Sequence, residues 1–137
     1  MEFHANAQKF YTELSKFLMN DKNIPKKWRS VSTYPILNMA DSLFDMLEDA
    51  NSVYPYSEET VKERKELQKA CIVQCEKIYG RLQRVMLTVW WDTLHRDEAD
   101  SERMRLEKHL IELGELLDRD ITLLKGWRKS TKLLQRK

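Results

Sequence analysis

Glycine and proline are scarce in this chain of 137 residues, three of each. A strand-rich fold needs turn glycines and a disordered chain is enriched in proline, so both are disfavoured. The abundance of Leu, Glu, Lys, Arg and Met favours helix throughout. So few glycines also supply neither a phosphate-cradling loop nor a dinucleotide fingerprint. Cysteine is limited to Cys71 and Cys75, four apart on one apparent helix, a separation close to the upper limit for a disulfide. Two such side chains alone do not make a zinc site; they are expected to be buried thiols in a reducing compartment. His4, His95 and His109 fall on three different elements, and Leu106 stands three residues before His109. The paired Glu-x-x-His motifs of a di-iron bundle are therefore missing. Residues 95–100 spell HRDEAD, a helicase signature, but without a nucleotide-binding loop Asp97–Asp100 are expected to be solvated loop and cap residues. No nucleophile elbow and no cofactor fingerprint occur, so neither an enzyme nor a cofactor or metal site is expected. The basic start and apolar run of a signal peptide are missing, and no apolar run approaches a membrane span, so the chain is expected in the cytoplasm.

What is present is four apolar stripes at helical spacing. Phe3, Ala7, Phe10, Leu14 and Phe17 step by four and three through a first helix, predicted over 3–20. Ile36, Ala40, Leu43, Leu47 and Ala50 do so in a second, which begins either near Thr33 or near Pro25 with a kink at Pro35. A third helix, predicted over 57–94, carries Cys71, Cys75, Ile78, Leu82, Val85 and Val89, with Ser57 as candidate N-cap and Glu58 and Glu59 in its first turn. A fourth, over 98–128, carries Leu106, Leu110, Leu113, Leu117, Ile121 and Leu124. Four amphipathic helices with short connections predict an all-α, up-and-down antiparallel four-helix bundle over residues 1–130, followed by a basic tail over 131–137.

The net charge of +2 hides strong segregation. Residues 31–61 hold six acidic and no basic residues, and 97–120 hold nine acidic against four basic. Residues 62–84 hold seven basic against three acidic, and from Lys125 onward six of thirteen residues are basic and none acidic. On a wheel of 100° per residue, Lys62, Lys65, Lys69, Lys77, Arg81 and Arg84 span about 160° opposite the apolar stripe. Glu63 and Glu66 are expected at or beyond the edge of that arc, with Glu76 flanking it. Lys125, Arg128 and Lys129 suit the C-terminus of the fourth helix, whereas Lys132, Arg136 and Lys137 lie beyond its last turn. Lys26, Lys27 and Arg29 surround Trp28. Such an aromatic either stacks on a base among phosphate-binding side chains or anchors a loop. A basic stripe is also the ordinary solvated face of a bundle. The three blocks together point to a nucleic-acid surface dominated by phosphate contacts.

Trp90 and Trp91 are adjacent, so one helix cannot aim both at the same core line. With Trp127, Tyr54, Tyr56 and Met86 they suggest more apolar surface than a thin bundle hides. That surplus predicts a subunit or partner interface, unless a loop covers one tryptophan.

The segments IPKKWRS, ILNMADSLFDMLEDAN, ERKELQKA and LGELLDRDITLLKGWRKS occur in that order over about residues 8–130. The ordered set resembles the four-helix-bundle family containing the Avd accessory proteins of diversity-generating retroelements and the proteins encoded in 23S ribosomal RNA intervening sequences. The features that carry the resemblance are Ile24-Pro25-Lys26-Lys27 after the first helix, Ala50-Asn51 closing the second, and Leu124–Ser130 with its Gly126-Trp127. It implies a non-catalytic accessory protein, assembled as a ring-shaped homopentamer with a basic surface. Such a protein associates with a reverse transcriptase, its template RNA and the cDNA, and supports mutagenic cDNA synthesis and retrohoming. The acidic stretches at 41–59 and 97–120 depart from the strongly basic balance of a typical Avd protein. They keep open the ribosomal-insert branch, read as a bundle that binds a partner polypeptide and has no nucleic-acid role.

Overall fold

A computed structural model describes the backbone over residues 2–93 and 99–134 and the side chains over 3–89 and 104–134. The chain forms four helices: α1 (Glu2–Leu18), α2 (Tyr34–Ser52), α3 (Glu58–Thr93) and α4 (Ala99–Ser130). No strand occurs among the described residues. Each helix packs on its sequence neighbours and α1 closes the ring against α4, the arrangement of an up-and-down bundle. The stripes read from the sequence are the core: Phe3, Phe10, Leu14, Ile36, Leu43, Leu47, Cys75, Ile78, Leu82 and Leu117 are all sealed from solvent. Leu110 and Ile121 are half-buried at its margin.

The helices are unequal in length. α3 has 36 residues and α4 has 32, against 17 in α1 and 19 in α2. At 1.5 Å per residue the long pair run about 50 Å and the short pair about 27 Å. The fold is therefore a long α3–α4 hairpin with a shorter helix laid along each arm. Asn6 of α1 meets Leu116 and Asp120 of α4, and Phe17 packs edge-on against His109 at 5.9 Å. On the other arm Gln74 donates to the Met39 carbonyl at 3.0 Å.

The connection over residues 19–33 closes the end of α1. The orphan carbonyls of its last turn find side-chain donors: Asn23 Nδ2 to Phe17 at 2.9 Å, Thr33 Oγ1 to Leu18 at 3.0 Å, and Arg29 Nη2 to Met19 at 3.0 Å. α2 begins at Tyr34, next to Thr33, the first of the two starts the sequence allowed, with Pro35 in its first turn. The chain is already helical from Lys26, first as a 3-10 turn over Lys26–Trp28 and then as a π turn over Arg29–Thr33. The Tyr34 amide reaches back five residues to the Arg29 carbonyl. A wider turn just before Pro35 eases the clash its ring would make with the fourth carbonyl back. Pro35 then sits in the first turn of α2, where its missing N–H costs nothing.

At the other end Ser57 caps α3 as expected, its Oγ accepting from the Thr60 amide at 3.1 Å. α4 runs straight through Gly126 to Ser130, two residues beyond the expected end. The tail then turns back, and the Leu134 amide donates to the Pro55 carbonyl at 2.8 Å.

Candidate nucleic-acid interface

α3 packs between α2 and α4 with its cysteine stripe inward, so the arc opposite that stripe faces solvent. Lys62, Lys69, Lys77, Arg81 and Arg84 are exposed there, and Lys65 is half-buried against α4. The arc is less uniform than expected. Glu66 lies eighteen residues from Arg84, about five whole turns, and so shares its bearing; Glu76 lies seven from Lys69, about two turns. Both carboxylates are exposed and stand inside the basic arc rather than at its edge. The outward face of α3 is thus basic in excess but interrupted. Beside it, α2 presents Asp41, Asp45, Glu48 and Asp49, all exposed, so an extended polyanion meets repulsion when it strays from α3 toward α2.

Cross-helix register brings the tail to the lower half of this face. Arg128 Nε donates to the Lys65 carbonyl at 3.1 Å, and Gln68 Nε2 donates to the Thr131 hydroxyl at 2.9 Å in a buried pair. Lys125, Lys129 and Lys132, all exposed, therefore stand level with Lys62, Lys65 and Lys69. Two basic blocks distant in sequence converge at one end of the α3–α4 hairpin. No single stretch of sequence revealed this, because it depends on the antiparallel register of two long helices.

The third block lies elsewhere. Lys26, Lys27 and Arg29 sit in the 19–33 connection at the opposite end of the bundle, where Arg105 of α4 donates to Asn23 at 2.9 Å. Trp28 is half-buried and packs on the core, with Lys27 Nζ 5.7 Å from its ring centroid. Its role is that of a loop anchor. Arg29 is largely spent internally, on the Met19 carbonyl and on an ion pair with Asp21. Arg128 is likewise engaged through its bond to α3. Trp127, expected at an interface, is half-buried against the core with the Arg64 guanidinium 5.0 Å over its ring. Arg64 also donates to the Val53 carbonyl at 3.1 Å, so these two side chains lock the α2–α3 connection to α4. The side chains of Trp90 and Trp91, His95 with Asp97–Asp100, and Arg136 with Lys137 lie outside the described residues.

Among the described residues no group of three or more His, Cys, Asp or Glu could hold a metal ion. No described helix is long and apolar enough to cross a membrane. Cys71 and Cys75 are sealed and unlinked. Burial, with the Asp49 carboxylate adding to it, pushes the Cys71 thiol up to about 11. Burial pushes Cys75 up further, with Asp120 the next cause. Thiols held protonated in this way are poor nucleophiles. Asp120 is fully buried on α4; it accepts from Asn6, while its second oxygen has no partner.

A groove of about 560 Å³ between α1 and α4 has Phe17, Leu113 and Leu116 on its floor and both signs of charge at its rim, Lys16 and Arg119 against Glu13 and Glu112. No family model, curated protein or solved structure matches the chain.

Proposed function

We propose that the protein is a non-catalytic accessory bundle that holds RNA beside a reverse transcriptase, in the manner of the Avd-like proteins its sequence resembles. The observation that carries the nucleic-acid part is the convergence of Lys62, Lys65 and Lys69 with Lys125, Lys129 and Lys132 at one end of the α3–α4 hairpin. Lys77, Arg81 and Arg84 extend that surface along α3. These side chains would neutralise phosphates and contribute no base sequence preference. The retroelement context, the polymerase and the pentamer rest on the resemblance of the ordered segments. Apolar surface for subunit contact is available: Met104 and Ile111, seven residues apart on α4, are 71% and 62% exposed, and Leu87 of α3 is 62% exposed.

The test is binding of a structured RNA at rising salt. With five or six phosphates neutralised, log affinity should fall against log salt with a slope of about −4 to −5. Replacing Lys62, Lys69, Arg81 and Arg84 by Glu should abolish binding at physiological salt. Affinity indifferent to salt, or absent at low salt, removes the nucleic-acid role.

A second reading is favoured by the same Met104–Ile111 stripe and by Glu66 and Glu76 inside the basic arc. It is a bundle that binds only a partner polypeptide, as in the ribosomal-insert branch. In that case the four charge reversals leave partner binding intact and there is no RNA binding to lose.

A further inference from the structure

The α2–α3 connection carries a pair of tyrosines that neither the core nor the basic arc accounts for. Tyr54 is 62% exposed and Tyr56 is 48% exposed, on either side of Pro55, which is buried. The Tyr56 amide donates to the Tyr54 carbonyl at 2.9 Å, a three-residue turn about Pro55 that sets both rings on one side. Their centroids are 6.0 Å apart and their planes 30° from parallel, an offset stack.

This short loop is fixed on every side. Arg64 holds the Val53 carbonyl and stacks on Trp127. Ser57 caps α3 immediately after Tyr56, and the Leu134 amide holds Pro55 itself. The backbone that carries the two rings is therefore tied down on both sides of Pro55. Exposed cations lie near it along the chain. Lys132 stands two residues before the tied Leu134, and Lys62 is in the second turn of α3, six residues after Tyr56; both are exposed. Lys65, Lys69 and Lys129 continue the cationic surface away from it. Glu58 and Glu59 also sit at this end, in the first turn of α3, Glu58 four residues before Lys62 and so on the same helix face.

We infer that Tyr54 and Tyr56 form a stacking site for an unpaired base of single-stranded RNA or DNA whose flanking phosphates lie on Lys62 and Lys132. The inference rests on the nucleic-acid reading above and adds to it the kind of strand bound and the place where it docks. A fixed aromatic face beside a cationic track is what sequence-tolerant single-strand binding requires, because every base offers a π-face. A duplex keeps its bases stacked internally and gains nothing from such a ring.

The experiment is fluorescence anisotropy of the full chain with a labelled 15-nucleotide single-stranded RNA and, separately, its duplex. Tyr54→Ala with Tyr56→Ala should weaken the single strand on the order of tenfold or more and leave duplex affinity and the salt slope unchanged. Tyr54→Phe with Tyr56→Phe should restore single-strand binding, since the ring face and not the hydroxyl is used. A strand carrying 4-thiouridine should cross-link to the peptide containing Tyr54 and Tyr56. Equal single-strand affinity of wild type and the alanine pair, or cross-links confined to other peptides, overturns the stacking site while the phosphate surface stands. Failure of the wild type to bind either RNA at low salt overturns both. The rings are exposed and not part of the core, so circular dichroism of the alanine pair should match wild type.

Discussion

Asp120 offers the sharpest test of the packing between α1 and α4. Its carboxyl is sealed from solvent, accepts one hydrogen bond from Asn6 and leaves its second oxygen without a partner. Burial raises its pKa from 3.8 to about 6, offset in part by the Asn6 hydrogen bond and the Arg119 charge. The groups that bear on it are thus Asn6 from α1, Arg119 beside it on α4, and the protonated Cys75 thiol of α3, whose own ionisation it opposes. In the folded state the proton is held more tightly than in the unfolded chain. Between about pH 4 and pH 6 the folded protein keeps a proton that the unfolded chain has lost, so stability falls as pH rises through that window. Below it the carboxyl is protonated in both states and the penalty is absent; above it the penalty is complete. Two pKa units correspond to about 3 kcal/mol. Asp120→Asn removes the titration and retains a carbonyl to accept from Asn6. The buried amide changes stability by some fixed amount, which cancels when variant and wild type are compared across pH. Urea unfolding of both proteins at intervals from pH 4 to 7.5 should show the variant gaining about 2.5 kcal/mol relative to wild type over the range. A difference that stays constant to within about 0.5 kcal/mol, the scale of pairwise additivity errors, would refute the account of a buried and poorly solvated carboxylate.

Further outcomes follow from the same packing. An added Cβ at Gly80 or Gly126 meets nothing within 4 Å, so Gly80→Ala and Gly126→Ala should each stabilise by about 0.5–1 kcal/mol in thermal melts through helix propensity alone. At Gly114 the new atom would stand 3.0 Å from Tyr79 Cε2, so Gly114→Ala should gain less than either or lose stability as that ring is pushed aside. Cys71 and Cys75, buried and with raised pKa values, should resist a thiol reagent at pH 7.5 in the native protein and react promptly in urea. Fast native labelling would show that the α3 stripe opens readily.

The core was legible because burial in a bundle is periodic: every residue of the α1, α2 and α3 stripes sits where its spacing put it. Features that depend on how helices slide past one another were not. Asn6 and Asp120 lie 114 residues apart and each reads as an ordinary polar position on its own helix. Gln68 and Thr131 are the same case. Pro35 signalled trouble at the start of α2, but composition does not distinguish a kink from a π turn placed just upstream. Arg29 counted as a free cation in the sequence, although its guanidinium completes the end of α1. The placement of Glu66 and Glu76 was available from the helical wheel alone, and careful angular bookkeeping would have set them inside the basic arc.

The two interleaved carboxylates change where binding energy is expected. A continuous stripe over the length of α3 would make each lysine or arginine roughly equivalent. With Glu76 interleaved, the middle of α3 gains little from any one cation, and Glu66 offsets part of the charge of Lys65 and Lys69. The end shared with the tail gains most, because there α3, α4 and the tail all supply lysines, against Glu58, Glu59 and Glu66 of α3 and the acidic flank of α2. The tyrosine loop occupies that same end, its backbone held there by Arg64 and the tail amide. Phosphate attraction and base stacking therefore act on the same few nucleotides. Removing Lys132 and Lys62 together should cost more affinity for a short single strand than removing Lys77 and Arg81 together, although the charge change is the same. Equal losses from the two pairs would mean that charge count and not position governs binding.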